Sequence, residues 1–256
     1  MGLRLGRALL VGLAGWLAAA AAAPASAQTA DRFQEANRLV RSGDYPKGIG
    51  IYQELASSGQ EGASLYWNWA QASAARGEAG AAMWALLRGR ELDPGDAALG
   101  REIERIRQAA NLDPAEIAPE PLSVLARVGR RFRIGLLALL LAGLSVAFHL
   151  AARAMPGSRW PVPAAWVSLS LAVVLALVPL GGALARPEAV VVHRGAPLLA
   201  SASPSAEVLG TLREAEVLPI LEQSGDYLRV QDSSGARGWA LASEVWPLDR
   251  PPRPVS

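Results

Sequence analysis

The side chains that most often carry chemistry are scarce in this chain. It has no cysteine, and its two histidines, His149 and His193, stand far apart. Thiolate nucleophiles, disulfides, iron–sulfur clusters and sulfur-ligated zinc are therefore excluded. A histidine metal site or a Ser/His/Asp triad has almost nothing to draw on. The acidic pair that could act as acid and base, Glu102 and Glu104, is interleaved with Arg101, Arg105 and Arg107, which is the pattern of a solvated helix face. No Gly-rich phosphate loop of the Walker type occurs in the sequence. These residues predict a protein that is not an enzyme and uses no cofactor and no metal. What remains is recognition, through aromatic and amide side chains.

The elements that would hold such side chains are organised around three apolar blocks. Of the 256 residues 51% are hydrophobic and only 19% charged, too apolar for an ordinary soluble enzyme. In residues 1–27, Arg4 and Arg7 precede an apolar run from Leu9 to Ala23 and then Ala25-Ser26-Ala27, the three parts of a secretory signal, with cleavage expected after Ala27. The second block, 134–152, is uncharged and rises about 28 Å as a helix, close to the hydrocarbon thickness of a bilayer. Its Leu, Ile, Val and Phe side chains supply on the order of −3 to −6 kcal/mol of insertion free energy. The third block, 164–184, is as long, with Pro179 and Gly181-Gly182 expected to kink or fray its last turn. The loop between them, 153–163, is short, so the two spans form a hairpin and the segments before and after it face the same compartment. His149 lies near the end of its span, four residues from Arg153, where a neutral imidazole reaches the interface.

Both segments outside the spans, 28–121 and 186–256, are mildly acidic. The positive excess sits in Arg127, Arg130, Arg131, Arg133, Arg153 and Arg159, beside apolar blocks. That distribution argues against nucleic-acid binding, which needs a basic face on a folded domain. The arginines flanking the spans would by themselves favour a cytoplasmic placement of the two segments. The signal sequence favours export, and a domain of about a hundred residues is translocated largely regardless of its charge.

In residues 28–111 the chain is similar to itself at an offset of 34: Ala36 meets Ala70, Gly43 meets Gly77, Asp44 meets Glu78, Gly48 meets Ala82, and Leu92-Asp93-Pro94-Gly95 closes the unit. Helices are predicted at Arg32–Ser42, Tyr45–Ser57, Ala63–Arg76 and Glu78–Leu92, followed by a polar capping helix at Asp96–Asn111. The pattern resembles the tetratricopeptide repeat. Such repeats bind peptides along a face lined by their first helices, and the resemblance implies Phe33 and Trp67 as apolar anchors with Asn37 and Gln71 as hydrogen-bonding groups. Trp69 and Trp84 are expected in the core. Two repeats with one cap are at the lower limit of stability, so a partner, a dimer or docking on the rest of the molecule is expected. Residues 112–133 form a Pro/Arg linker.

From 186 to 248 the pattern changes to short apolar runs between turns: Ala189–His193, Glu207–Leu212, Glu216–Leu221, Tyr227–Gln231 and Gly238–Leu241. The order of these runs, with Gly225-Asp226, Gly238-Trp239 and Val245, closely resembles a bacterial SH3 domain, with Ala215 in place of a usual glycine. Tyr227, Trp239 and Trp246 could form an aromatic patch for an extended ligand. The segment is expected to fold alone as a soluble monomer, and 249–256 to be a disordered tail.

The chain thus reads as a multi-domain membrane protein: all-α tetratricopeptide-like repeats, a two-helix transmembrane hairpin and an all-β SH3-like small barrel. That order resembles the E component of the bacterial aerotolerance (Bat) operon. The resemblance implies a non-enzymatic scaffold in the bacterial inner membrane, both soluble domains in the periplasm, with von Willebrand factor A-type membrane proteins and a MoxR-type ATPase as partners. The alternative is a cell-wall sensor that holds peptidoglycan through the SH3-like barrel.

Overall fold

The computed structural model of the protein describes residues 28–113, 128–129, 132–154, 157, 160–183 and 186–252. The signal segment with its cleavage site, most of the linker and the end of the tail lie outside the described residues.

Five helices form the first unit: α1 (28–41), α2 (Tyr45–Ser57), α3 (Ala63–Ala75), α4 (Ala79–Leu92) and α5 (Ala97–Ala109). The 34-residue offset has a backbone counterpart. At the end of α1, Gly43 adopts φ +86° and the amides of Gly43 and Asp44 return to the carbonyls of Val40 and Leu39. At the end of α3, Gly77 adopts φ +81° and the amides of Gly77 and Glu78 return to Ala74 and Ser73. Each is a left-handed cap that glycine forms without steric cost, and it reverses the chain into the next helix. α5 ends the same way with Asn111 at φ +53°, the amide of Leu112 reaching the Arg107 carbonyl and the Leu112 side chain buried.

Tyr52, Tyr66, Trp69, Met83, Trp84, Leu86 and Leu99 fill the centre of this unit and are fully buried, Trp69 and Trp84 as expected. Burial pushes the phenols of Tyr52 and Tyr66 up to about 12. Their folded pKa values lie above the unfolded value near 10. The stability tied to their protonated forms is therefore complete below about pH 10 and is lost as pH rises towards 12. Tyr52→Phe and Tyr66→Phe are expected to move the midpoint of alkaline unfolding upwards. An unchanged midpoint in both would contradict this burial.

Two long apolar helices follow, α6 (Ile134–Ala154) and α7 (Pro161–Ala183). Both are long and apolar enough to cross a membrane. α7 begins three residues before the expected boundary because Pro161 and Pro163 fall in the first turn, where a missing N–H costs nothing. It also continues through Pro179 to Ala183. The pair packs antiparallel with small residues buried on both helices, Ala138 and Ser145 on α6 and Ala165, Ser168 and Ala172 on α7, and Ser145 Oγ donates to the Ala165 carbonyl at 2.8 Å. Phe148 stands edge-on to Trp160, and His149 to Trp166.

The C-terminal unit is a curved antiparallel sheet of seven strands: β1 (Glu188–Val191), β2 (Pro197–Leu199), β3 (Val208–Thr211), β4 (Val217–Ser224), β5 (Tyr227–Gln231), β6 (Arg237–Leu241) and β7 (Val245–Pro247), in the order β3-β2-β6-β5-β4-β1-β7. Ala189, Val191, Leu198, Leu212, Leu218, Leu228, Val230, Ala240 and Val245 close its interior. Ala215 adopts φ +69°, which explains why glycine is usual there; for an L-residue the left-handed region costs roughly 1–2 kcal/mol. Glu216 is buried, and its carboxylate accepts from the amides of Ser233 and Arg213.

The helical unit and the barrel share one core. Alternation along β1 sends Ala189 and Val191 into the barrel and Val190 and Val192 into the helices, where Ala215 and Leu248 join them. Trp84 Nε1 donates to the Pro247 carbonyl at 2.8 Å, and Arg88 to the Leu248 carbonyl at 2.8 Å and to Glu61. The Gly80 amide donates to Glu214 Oε1 at 3.0 Å. The helical unit is thus docked on the barrel through α4. Past β7, Arg250 donates to Gln223 and Pro252 is buried, so the tail expected from 249 stays against the body at least this far.

Candidate functional site

The first candidate surface is the layer formed by α1, α3 and α5. Asn68 Nδ2 donates to Asn37 Oδ1 at 2.9 Å, joining α1 to α3, and Gln71 Nε2 donates to Glu102 Oε1 at 3.2 Å, joining α3 to α5. Asn37 Oδ1 also accepts from the Tyr52 hydroxyl at 2.7 Å. Both amides therefore tie helices to one another, a use that spacing alone does not reveal. Phe33 lies 6.1 Å from the Tyr52 ring, and Phe33 and Trp67 are half-buried at the edge of the helical core. The acidic pair on α5 is engaged with arginines. The bond to Arg105 holds the Glu102 carboxyl below the usual range, and those to Arg107 and Gln108 bring Glu104 down to about 2. Both are carboxylates at neutral pH, with no proton to give.

The second candidate surface is the outer face of β5 and β6. The register pairs Tyr227 with Leu241 and Arg229 with Trp239, while Leu228, Val230 and Ala240 point inward. Tyr227 and Trp239 are thus diagonal neighbours on the outer face, both partly exposed. Trp246 lies elsewhere. Its ring is set edge-on to Trp84 at 5.5 Å and lies 6.3 Å from Trp69, while its Nε1 donates to the Ser243 carbonyl. The structure brings Tyr227 and Trp239 together and places Trp246 between barrel and helices.

The sequence leaves docking on the rest of the molecule as one of three options and does not say where it falls, although one signal is present. The run Ala189-Val190-Val191-Val192 shows no alternation of polarity, as fits a strand buried on both faces. Gly80 is a second mark, since a Cβ there would lie 2.3 Å from the Val191 carbonyl oxygen and 2.6 Å from Val192 Cα.

Residues 194–245 match the family of bacterial SH3 domains, and the barrel is such a domain. The match begins after β1 and stops at the first residue of β7, so the two strands that carry Val190, Trp246 and the Pro247 carbonyl to the helices fall almost wholly outside it. No curated protein matches the chain.

Proposed function

We propose that this chain is a non-enzymatic adaptor anchored in the bacterial inner membrane, with α6 and α7 as a transmembrane hairpin and its helical and SH3 units together in the periplasm. The observation that carries the anchoring is the exposure of apolar side chains on these helices. Leu139, Leu140, Val146, Val167, Val174 and Leu177 are each more than half exposed, a surface that water disfavours and hydrocarbon accepts. The antiparallel hairpin returns the chain to the side it came from, which is what one body assembled from the segments before and after it requires. The five-helix unit is read as tetratricopeptide repeats, whose α1–α3–α5 layer displays Phe33 and Trp67, and the chain as a scaffold of the aerotolerance type. Its partners on that reading are von Willebrand factor A-type membrane proteins and a MoxR-type ATPase, which would supply the ATP hydrolysis this chain lacks motifs for. Peptidoglycan is the second reading, favoured by Tyr227 and Trp239 as diagonal neighbours on the outer face of a bacterial SH3 domain.

Alkaline phosphatase fused after Asn111 and after Ser256 is expected to be active at both points. Two inactive fusions would reverse the topology. Capture of the detergent-solubilised chain from membrane extract, compared with binding to purified peptidoglycan, separates scaffold from cell-wall sensor.

A further inference from the structure

The chain leaves α7 at Ala183 and is already held in the barrel at Pro187, whose carbonyl accepts from the Ile220 amide at 2.8 Å. One residue on, the Glu188 carbonyl accepts from the Leu248 amide at 2.8 Å. From Ala183 to Pro187 the chain can reach at most about 14 Å. The 23 residues of α7 rise about 34 Å, little more than the hydrocarbon thickness of about 30 Å. With α7 across a bilayer, the edge of the barrel around Pro187, Ile220 and Leu248 is therefore tethered to the headgroup layer. The tether imposes this whichever way the rest of the body turns.

A cavity of about 430 Å³ opens at that edge, within the range of ligand pockets. Arg186 and Arg250 line it together with Glu222 and Asp249, so its charges cancel. Arg250 donates to Gln223 at 3.0 Å, and its Nε lies 3.9 Å from Asp249 Oδ1, beyond hydrogen-bond reach. Most donors of that guanidinium, and the Asp249 carboxylate, thus have no hydrogen-bond partner among the described residues. Both side chains are more than half exposed, so a ligand reaches them without opening the fold. Ile220 and Leu221, partly exposed, form the apolar part of the lining.

The occupant follows from position and charge together. A guanidinium with open donors binds a phosphate, and a carboxylate beside it binds a cation that can donate. An anionic headgroup would satisfy Arg250 and face two carboxylates. A headgroup that carries a phosphate and a primary ammonium two carbons apart answers both neighbours at once. A trimethylammonium has no N–H to give Asp249. We propose that this cavity binds the headgroup of a zwitterionic phospholipid of the phosphatidylethanolamine type, with its phosphate on Arg250, its ammonium on Asp249 and its glycerol end against Ile220 and Leu221. The inference rests on the reading of α6 and α7 as a transmembrane hairpin, and it makes the SH3 unit a contact of the membrane surface as well as of the helices.

The test takes the full chain in maltoside detergent and counts, by native mass spectrometry, the lipid retained from an equimolar mixture of phosphatidylethanolamine, phosphatidylcholine and phosphatidylglycerol. One phosphatidylethanolamine per chain is expected, in preference to the other two. Arg250→Gln is expected to lower its retention roughly 3- to 10-fold. Asp249→Asn should remove the preference over phosphatidylcholine, a change of selectivity that a loss of folding would not produce. Both residues lie outside the barrel interior, so the circular dichroism of either variant should match wild type. Retention and selectivity unchanged in both variants, or a preference for phosphatidylglycerol, overturn the site while the hairpin stands. Free phosphoethanolamine that displaces the lipid at equal concentration overturns the membrane as the source of the ligand. Release of the chain from membranes by alkaline carbonate is read separately, and overturns the hairpin and this inference with it.

Discussion

Trp84→Ala is expected to unfold the helical unit and the SH3 domain together. The side chain is fully buried at the centre of an aromatic cluster, 5.1 Å from Trp69, 5.5 Å from Trp246 and 5.6 Å from Tyr66. Removing a buried tryptophan costs about 3–5 kcal/mol through lost transfer and the cavity left behind. The deletion also strips the Pro247 carbonyl of its donor, adding roughly 1–3 kcal/mol if water cannot reach it. Domains of this size have about 5–15 kcal/mol in all. Trp84→Phe keeps most of the volume and loses only the N–H, so it should cost about 1–3 kcal/mol. Denaturant unfolding of the detergent-solubilised chain, followed by circular dichroism and by tryptophan fluorescence, measures both. A wild-type-like midpoint for Trp84→Ala would remove the shared core.

Gly80→Ala should be nearly as damaging as far larger substitutions, because the obstacle lies at the β-carbon itself. The atoms it would meet, the Val191 carbonyl oxygen at 2.3 Å and Val192 Cα at 2.6 Å, are backbone of a strand clamped between β4 and β7. They cannot rotate away as a side chain would. The cost is expected at or above the upper end of the range of about 1–3 kcal/mol for overpacking, with α4 driven off β1 and the Gly80–Glu214 bond lost. Limited proteolysis should then cut where the wild-type chain is protected. An alanine variant as stable as wild type would show that α4 and β1 do not approach this closely.

Local signals proved the easiest to read. α2 spans the expected residues because Asp44 caps it, accepting from the Lys47 amide, and Pro46 sits in its first turn. α3, α4 and α5 each fall within about two residues of expectation, and the 34-residue offset reappears as matching turns at Gly43 and Gly77. In the barrel, β5 spans the expected residues, while β2 went unseen because Pro197 opens it and the Ser/Pro-rich stretch that follows reads as loop. The contact between the two units was hidden for a different reason. Alternation within a strand tells which residues share a face but not what covers that face. Trp246 therefore reads equally well as an exposed aromatic or as an anchor between units, and only the position of α4 decides. Asn37 and Gln71 show the same limit, since an amide at a helix surface can serve a ligand or a neighbouring helix, and here each bonds a neighbouring helix.

The shared core revises the expectation that residues 186–256 fold alone as a soluble monomer. Val190, Val192, Ala215 and Leu248, all buried in the intact chain, would be bared along one side of the isolated barrel, together with the partly buried Trp246. A contiguous apolar patch of that kind promotes aggregation. The helical unit in turn would lose the barrel residues that share its buried cluster. Any partner that docks on one unit therefore acts on a body whose two parts are held in fixed relation.

Hydrogen exchange on the full detergent-solubilised chain tests this unity most directly. In the wild type, amides of α4, β1 and β7 should open with one common free energy, and in Trp84→Ala all three should lose protection by the same amount. Strands β1 and β7 that keep wild-type protection while α4 opens would contradict the account, because the barrel would then stand without the helices.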